Sequence, residues 1–145
     1  METYTYRAEI EPGEKRSVFV VAFPDVPEAI TQGKSTEDAR AEAEKVLARA
    51  LLSYVERGLP LPKARARGRD LVPITVAPDV AAKLAVLEAF AEAGISKVEL
   101  ANRLDVDEKE ARRILDPRHP TKMLKLAGAL RVLGRRLVVG VEKAA

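Results

Sequence analysis

Apolar and polar residues alternate from the start of the chain. In "TYTYRAEI" Tyr4, Tyr6, Ala8 and Ile10 interleave with Thr3, Thr5, Arg7 and Glu9, the period of two that marks a half-buried strand. "EPGEK" supplies a turn, and the β-branched and aromatic run "SVFVVAF" (17–23) predicts a more deeply buried second strand. A short third strand, "AITQG" (29–33), is entered through the proline-rich "PDVPE". The period then changes. From Ser35, which with Asp38 makes a capping-box pattern, Ala39, Ala43, Val46, Leu47, Ala50 and Tyr54 recur at helical spacing until Gly58, where Leu59 is placed for a Schellman contact. "LVPITV" (71–76) reads as a returning strand, and its Pro73 assigns it to a sheet edge. Between helix and strand, "LPLPKARARGRD" (59–70) has the composition of a linker.

Beyond Pro78 the pattern is helical: a helix closed by Gly94, then segments 96–104, 107–115 and 121–133, the last closed by Gly134. The tail "RRLVVGVEK" is strand-like once more. An α+β chain of two domains is therefore expected, 1–76 and 77–145. An unpaired strand would leave its backbone groups without partners, so the tail is expected to pair with that of a second copy through Leu137, Val139 and Val141, giving a homodimer or higher homo-oligomer.

Charge sharpens the division. Residues 1–62 hold 8 Lys/Arg against 11 Asp/Glu, whereas residues 63–145 hold 17 against 11. The basic half calls for a polyanion and the acidic half for something else. The chain has no cysteine and one histidine, His119, which removes thiol chemistry and leaves acid/base or metal chemistry with a single His candidate. Neither a signal peptide nor a long apolar run is present, so a cytoplasmic protein with no membrane contact is expected.

"SKVELANRLDVDEKEARRILD" (96–116) contains two capping-box patterns, Ser96 with Glu99 and Asp107 with Glu110, joined by Asp105 and Val106 alone. A turn this short is the mark of a helix-turn-helix, with Asp105 at the place glycine usually takes. Leu100, Ala101, Leu104, Val106, Ala111, Ile114 and Leu115 form its apolar side. Residues 112–136 hold eight Lys/Arg and one acidic residue. The plain alternative is a helical hairpin with a solvated charged face; the caps, the short turn and the positive excess favour DNA. The candidate contacts are Lys97, Glu108, Lys109, Arg112, Arg113, Arg118 and Lys122, with Lys109, Arg112 and Arg113 nearest the bases and Glu108 either reading a cytosine amine or lying off the groove.

"SVFVVAFPDVPEAITQGKSTEDARAEAEKVL" resembles the HicB antitoxin family, through a strand ending in "FPDVP", then "AITQG", then a capped helix beginning "STEDA". Residues 94–139 are similar to the Xre-type helix-turn-helix appended in one branch of that family. The resemblance implies a partial RNase H-like βββαβ domain without catalysis. It also implies binding to a HicA-like mRNA-cleaving ribonuclease and repression of the chain's own operon. Within the motif Phe23, Asp25 and Glu28 are the candidate toxin contacts, Glu28 standing where the family commonly has glycine. The alternative is a stand-alone helix-turn-helix regulator with a ligand-sensing N-terminal domain. A nuclease reading, with Asp25 and Glu9 or Glu11 as metal ligands, is weaker, since Asp between prolines serves local hydrogen bonding and the strand carboxylates alternate outward. No enzyme activity, cofactor or metal is expected. Tyr4, Tyr6 and Tyr54 are assigned to core packing. His119 is placed before Pro120 at a helix start, and "KARARGR" is a solvated segment able to touch toxin or a DNA backbone.

Overall fold

A computed structural model of the chain describes residues 1–144 and divides it into two compact units, Met1–Ala77 and Pro78–Ala145; Ala145, where the second expected domain ends, lies outside the described residues. In unit 1, β1 (Thr5–Pro12), β2 (Phe19–Ala22), β3 (Ile30–Gly33), α1 (Thr36–Glu56) and β4 (Val72–Thr75) follow in the order βββαβ. The strands form one antiparallel sheet in the spatial order β3-β2-β1-β4.

Side chains alternate across the sheet, and the register decides which share a face. Tyr6 is opposite Ile74 and Ile10 opposite Val21, on the face that α1 covers; Tyr6, Ala8, Val21 and Ile74 are buried there. The α1 residues that meet it, Ala39, Ala43, Leu47 and Leu51, are all fully buried at strict i, i+4 spacing. Each leucine contributes about 2 kcal/mol on burial. Three elements differ from the sequence reading. Strand β2 starts at Phe19 because Ser17 takes a left-handed backbone (φ 61°) inside the hairpin, and it stops before Phe23 because Pro24 has no N–H for the ladder. Tyr54 is half-buried rather than core: its hydroxyl donates to Glu28 Oε1 at 2.6 Å and its ring lies under the Arg57 guanidinium. The 59–70 segment is not a loose linker, since its backbone is tied to the sheet domain at two points described below.

Unit 2 holds α2 (Pro78–Ala93), α3 (Lys97–Leu104), α4 (Glu108–Ile114) and α5 (Met123–Val132). Helix α2 packs on α5, and α3 on α4 and α5, around Leu84, Val86, Leu100, Ile114, Leu126 and Leu130. The α3–α4 turn is made as the sequence predicts: Asp105 adopts the left-handed conformation (φ 54°, ψ 48°) and Val106 N–H donates to Ala101 O at 3.0 Å. Residues 135–144 form no strand within the chain, because among the described residues unit 2 offers no other strand to pair with, and Val138, Val139 and Val141 stand exposed while Leu137 is half-buried.

Candidate nucleic-acid and partner interfaces

Helix α4 is held at both ends. At its start Asp107 accepts from Glu110 N–H at 2.8 Å, satisfying one of the otherwise unpaired donors of the first turn. At its end a buried lysine does the corresponding work on the carbonyls. Lys83, projecting from α2 and only 4% exposed, donates to Ile114 O at 2.8 Å, to Arg113 O at 3.3 Å and to Thr121 Oγ1 at 2.7 Å. Burial pushes its pKa down to about 8, against the opposing pull of the Asp116 carboxylate. Thr121 also lies 3.1 Å from His119 Nδ1, so these side chains form one cluster under the end of α4. Sequence reasoning missed Lys83; the only signal was one cation inside the apolar run "AAKLAVL".

On the solvent side of this scaffold Lys97, Glu108, Lys109, Arg112, Arg113, Arg118 and Lys122 are all exposed. The arginines of α4 are tethered by their own helix: Arg112 Nη2 pairs with Glu108 Oε1 at 2.5 Å and Arg113 Nη1 with Glu110 Oε2 at 3.4 Å. Glu110 also takes Lys125 at 2.7 Å, and this hydrogen bond, with Arg113 beside it, holds its carboxyl below the usual carboxylate range. The Glu110 side chain thus faces cations and not Asp107, contrary to the reciprocal capping box the pattern suggested.

Unit 1 places its candidate residues in three different settings. Phe23 is 2% exposed and belongs to the core, so it is not available as a surface contact. Glu28 is exposed, and the Tyr54 hydroxyl holds its carboxyl below the usual range. Asp25 is half-buried, and its Oδ2 accepts from the backbone N–H groups of both Arg65 and Ala66 at 2.8 Å. The sheet face opposite α1 carries Glu9 beside Ala22 and Ile30, and Glu11 beside Val20 and Gln32. Val20 and Ile30 are exposed there, so the β1–β3 part of this face is both acidic and apolar, while Arg7 lies beside Pro73 toward β4. Among the described residues no three His, Cys, Asp or Glu side chains gather as a metal ion requires, and no helix is long and apolar enough to cross a membrane.

Residues 5–85, the sheet domain from β1 onward and the first half of α2, match the family described as HicB_like antitoxin of bacterial toxin-antitoxin system. The chain belongs to the HicB-like antitoxin family. It is 36% identical to Antitoxin HicB 1 of Photorhabdus laumondii subsp. laumondii over 94% of its own length and 86% of that protein's. Antitoxin HicB of Pseudomonas fluorescens (strain Pf0-1) is 32% identical over 99% of this chain and 97% of the relative. Antitoxin HicB of Escherichia coli (strain K12) is 31% identical over 82% and 86%. The likeness to these HicB relatives runs through both units, so an antitoxin role rests on the whole chain and not on the sheet domain alone.

Proposed function

We propose that the two units of this HicB-like antitoxin divide its work: unit 1 covers a small HicA-like ribonuclease toxin, and unit 2 represses the operon as a helix-turn-helix of the Xre type. The observation that carries the DNA half is the α3–turn–α4 pair, capped at both ends of α4 and presenting Lys109, Arg112 and Arg113 to solvent. Helix α4 enters the major groove, the arginines reach base edges, and Lys97, Arg118 and Lys122 neutralise phosphates. Release of Arg112 from Glu108 is inexpensive, because an exposed i, i+4 pair contributes only about 0.3 to 0.5 kcal/mol. Replacing Arg112 and Arg113 together by Ala is expected to cost about 1 to 3 kcal/mol for each arginine that grips a base edge in bidentate fashion, measured by titrating the operator duplex. Equal affinity of wild type and double variant would sink the assignment.

For the toxin, an RNA-cleaving partner presents a basic surface, and the open sheet face offers Glu9 and Glu11 around Val20 and Ile30 to complement it. Reversing both charges, Glu9→Lys with Glu11→Lys, is expected to abolish co-purification with the toxin; retention at wild-type yield moves the interface elsewhere. The tail, with Val139 and Val141 exposed and Leu137 half-buried, supplies the dimer contact through these three residues, pairing with its copy to place two α4 helices for successive major grooves. Deleting residues 136–145 is then expected to give monomers in sedimentation, and a truncated dimer excludes the tail as the contact.

A further inference from the structure

The segment Lys63-Ala64-Arg65-Ala66-Arg67-Gly68-Arg69 alternates cations with small residues, and unit 1 holds it in place. The Tyr6 hydroxyl donates to Pro62 O at 2.5 Å just before it, and Asp25 takes the two consecutive N–H groups of Arg65 and Ala66. Lys63, Arg65, Arg67 and Arg69 are exposed, and among the described residues none of them is in an ion pair. The α4 arginines, by contrast, are each matched to a carboxylate. A connection that only spans a gap needs neither a buried tyrosine nor a carboxylate to fix its backbone. Fixing it lowers the entropy lost when a partner binds, and four unmatched charges in a row select a polyanion.

We propose that this pinned strap is a second nucleic-acid contact of the antitoxin, gripping the phosphate backbone of duplex DNA. The inference rests on the operator-binding reading above and extends it to unit 1. Three features choose the occupant. The strap has no aromatic side chain on which an unpaired base could stack, which disfavours single-stranded RNA. A basic ribonuclease would be repelled by it. Alanine and glycine between the cations leave room for a backbone but provide nothing to read a base, so the contact is independent of sequence.

The test uses the full-length protein with all four cations replaced by Ser, titrated against a duplex of its own promoter and an unrelated duplex of equal length over a series of salt concentrations. If the strap holds phosphates, the slope of log K against log salt is expected to fall by about 0.9 for each phosphate released, and so by about 2 to 4 in all. Both duplexes should weaken together, leaving their affinity ratio unchanged. Replacing the three arginines by Lys is expected to restore the slope, which a folding defect would not allow. Asp25→Ala keeps every cation and is expected to lower affinity for both duplexes with the slope largely preserved. A four-fold variant with the wild-type slope overturns the strap while leaving the operator reading intact; loss of toxin co-purification or of single-stranded RNA binding without a change in slope also overturns it. A wild-type protein that binds neither duplex overturns both readings at once.

Discussion

Replacing Gly33 by alanine is expected to destabilise unit 1 by about 2 to 3 kcal/mol, the upper part of the range for overpacked sites. A Cβ at this position would lie 2.4 Å from Ala39 N, 2.6 Å from Ala39 Cα and 2.8 Å from the Asp38 carbonyl carbon, all of them backbone atoms of the first turns of α1. No rotamer change relieves such a clash, so either the helix lifts from the sheet or β3 gives up its pairing with β2. Lifting the helix exposes the stripe from Ala39 to Leu51, which is the core of the unit. Urea denaturation should show a lower midpoint, and toxin binding should weaken in parallel. An unchanged midpoint would mean that α1 sits on the sheet less tightly than the structure has it.

Removing Lys83 is expected to cost a comparable amount, for a different reason. In Lys83→Ala the Ile114 carbonyl loses the ammonium that donates to it, the Arg113 carbonyl keeps only Asp116 N–H and the Thr121 hydroxyl, and the site is left with a void, together about 3 kcal/mol. The same residue makes stability depend on pH. Its folded-state pKa, about 8, lies below the ordinary lysine value of 10.5, so burial of the charged form opposes folding at every pH below 8. Between pH 8 and 10.5 the folded protein has released that proton and the unfolded chain has not, and the opposition fades by at most about 1.4 kcal/mol per pH unit. The stability of wild type relative to Lys83→Met should therefore rise as pH climbs through this window, as measured by denaturant unfolding at fixed ionic strength. A flat difference across the same window would show that the ammonium is not held in the buried cluster.

Periodicity makes the elements legible, and chemistry between chain-distant residues stays hidden. The alternation at Tyr4 to Ile10, the i, i+4 stripe of α1 and the caps at Ser35, Ser96 and Asp107 are local patterns, and each produces the element it announces. Asp105 is readable too, since a helix that stops this sharply commonly ends in the left-handed region, which Asp tolerates. Asp25 and Lys83 acquire their partners 40 and 30 residues away, and no local window contains both ends of such a bond. Phe23 shows the complementary error: its place inside a distinctive motif suggests a contact, whereas its side chain is buried in the core. Among the candidate DNA contacts the cationic residue types are plain from the chain, but the carboxylates that hold Arg112 and Arg113 in the free protein emerge only from the helix geometry.

The strand order leaves two sheet edges, and they are not equivalent. Both are four-residue strands, but β4 carries Pro73, which has no N–H to offer a newcomer, while β3, Ile-Thr-Gln-Gly, has no proline. A sheet with two receptive edges can extend indefinitely, copy upon copy. A sheet with one can only meet its own likeness edge to edge, and the encounter leaves only the proline-bearing margin free on each molecule. Association at this surface is thus self-limiting: in concentrated samples unit 1 should pair through β3 no further than two copies, and fibrils that bind an amyloid dye would reveal that the proline margin is open after all.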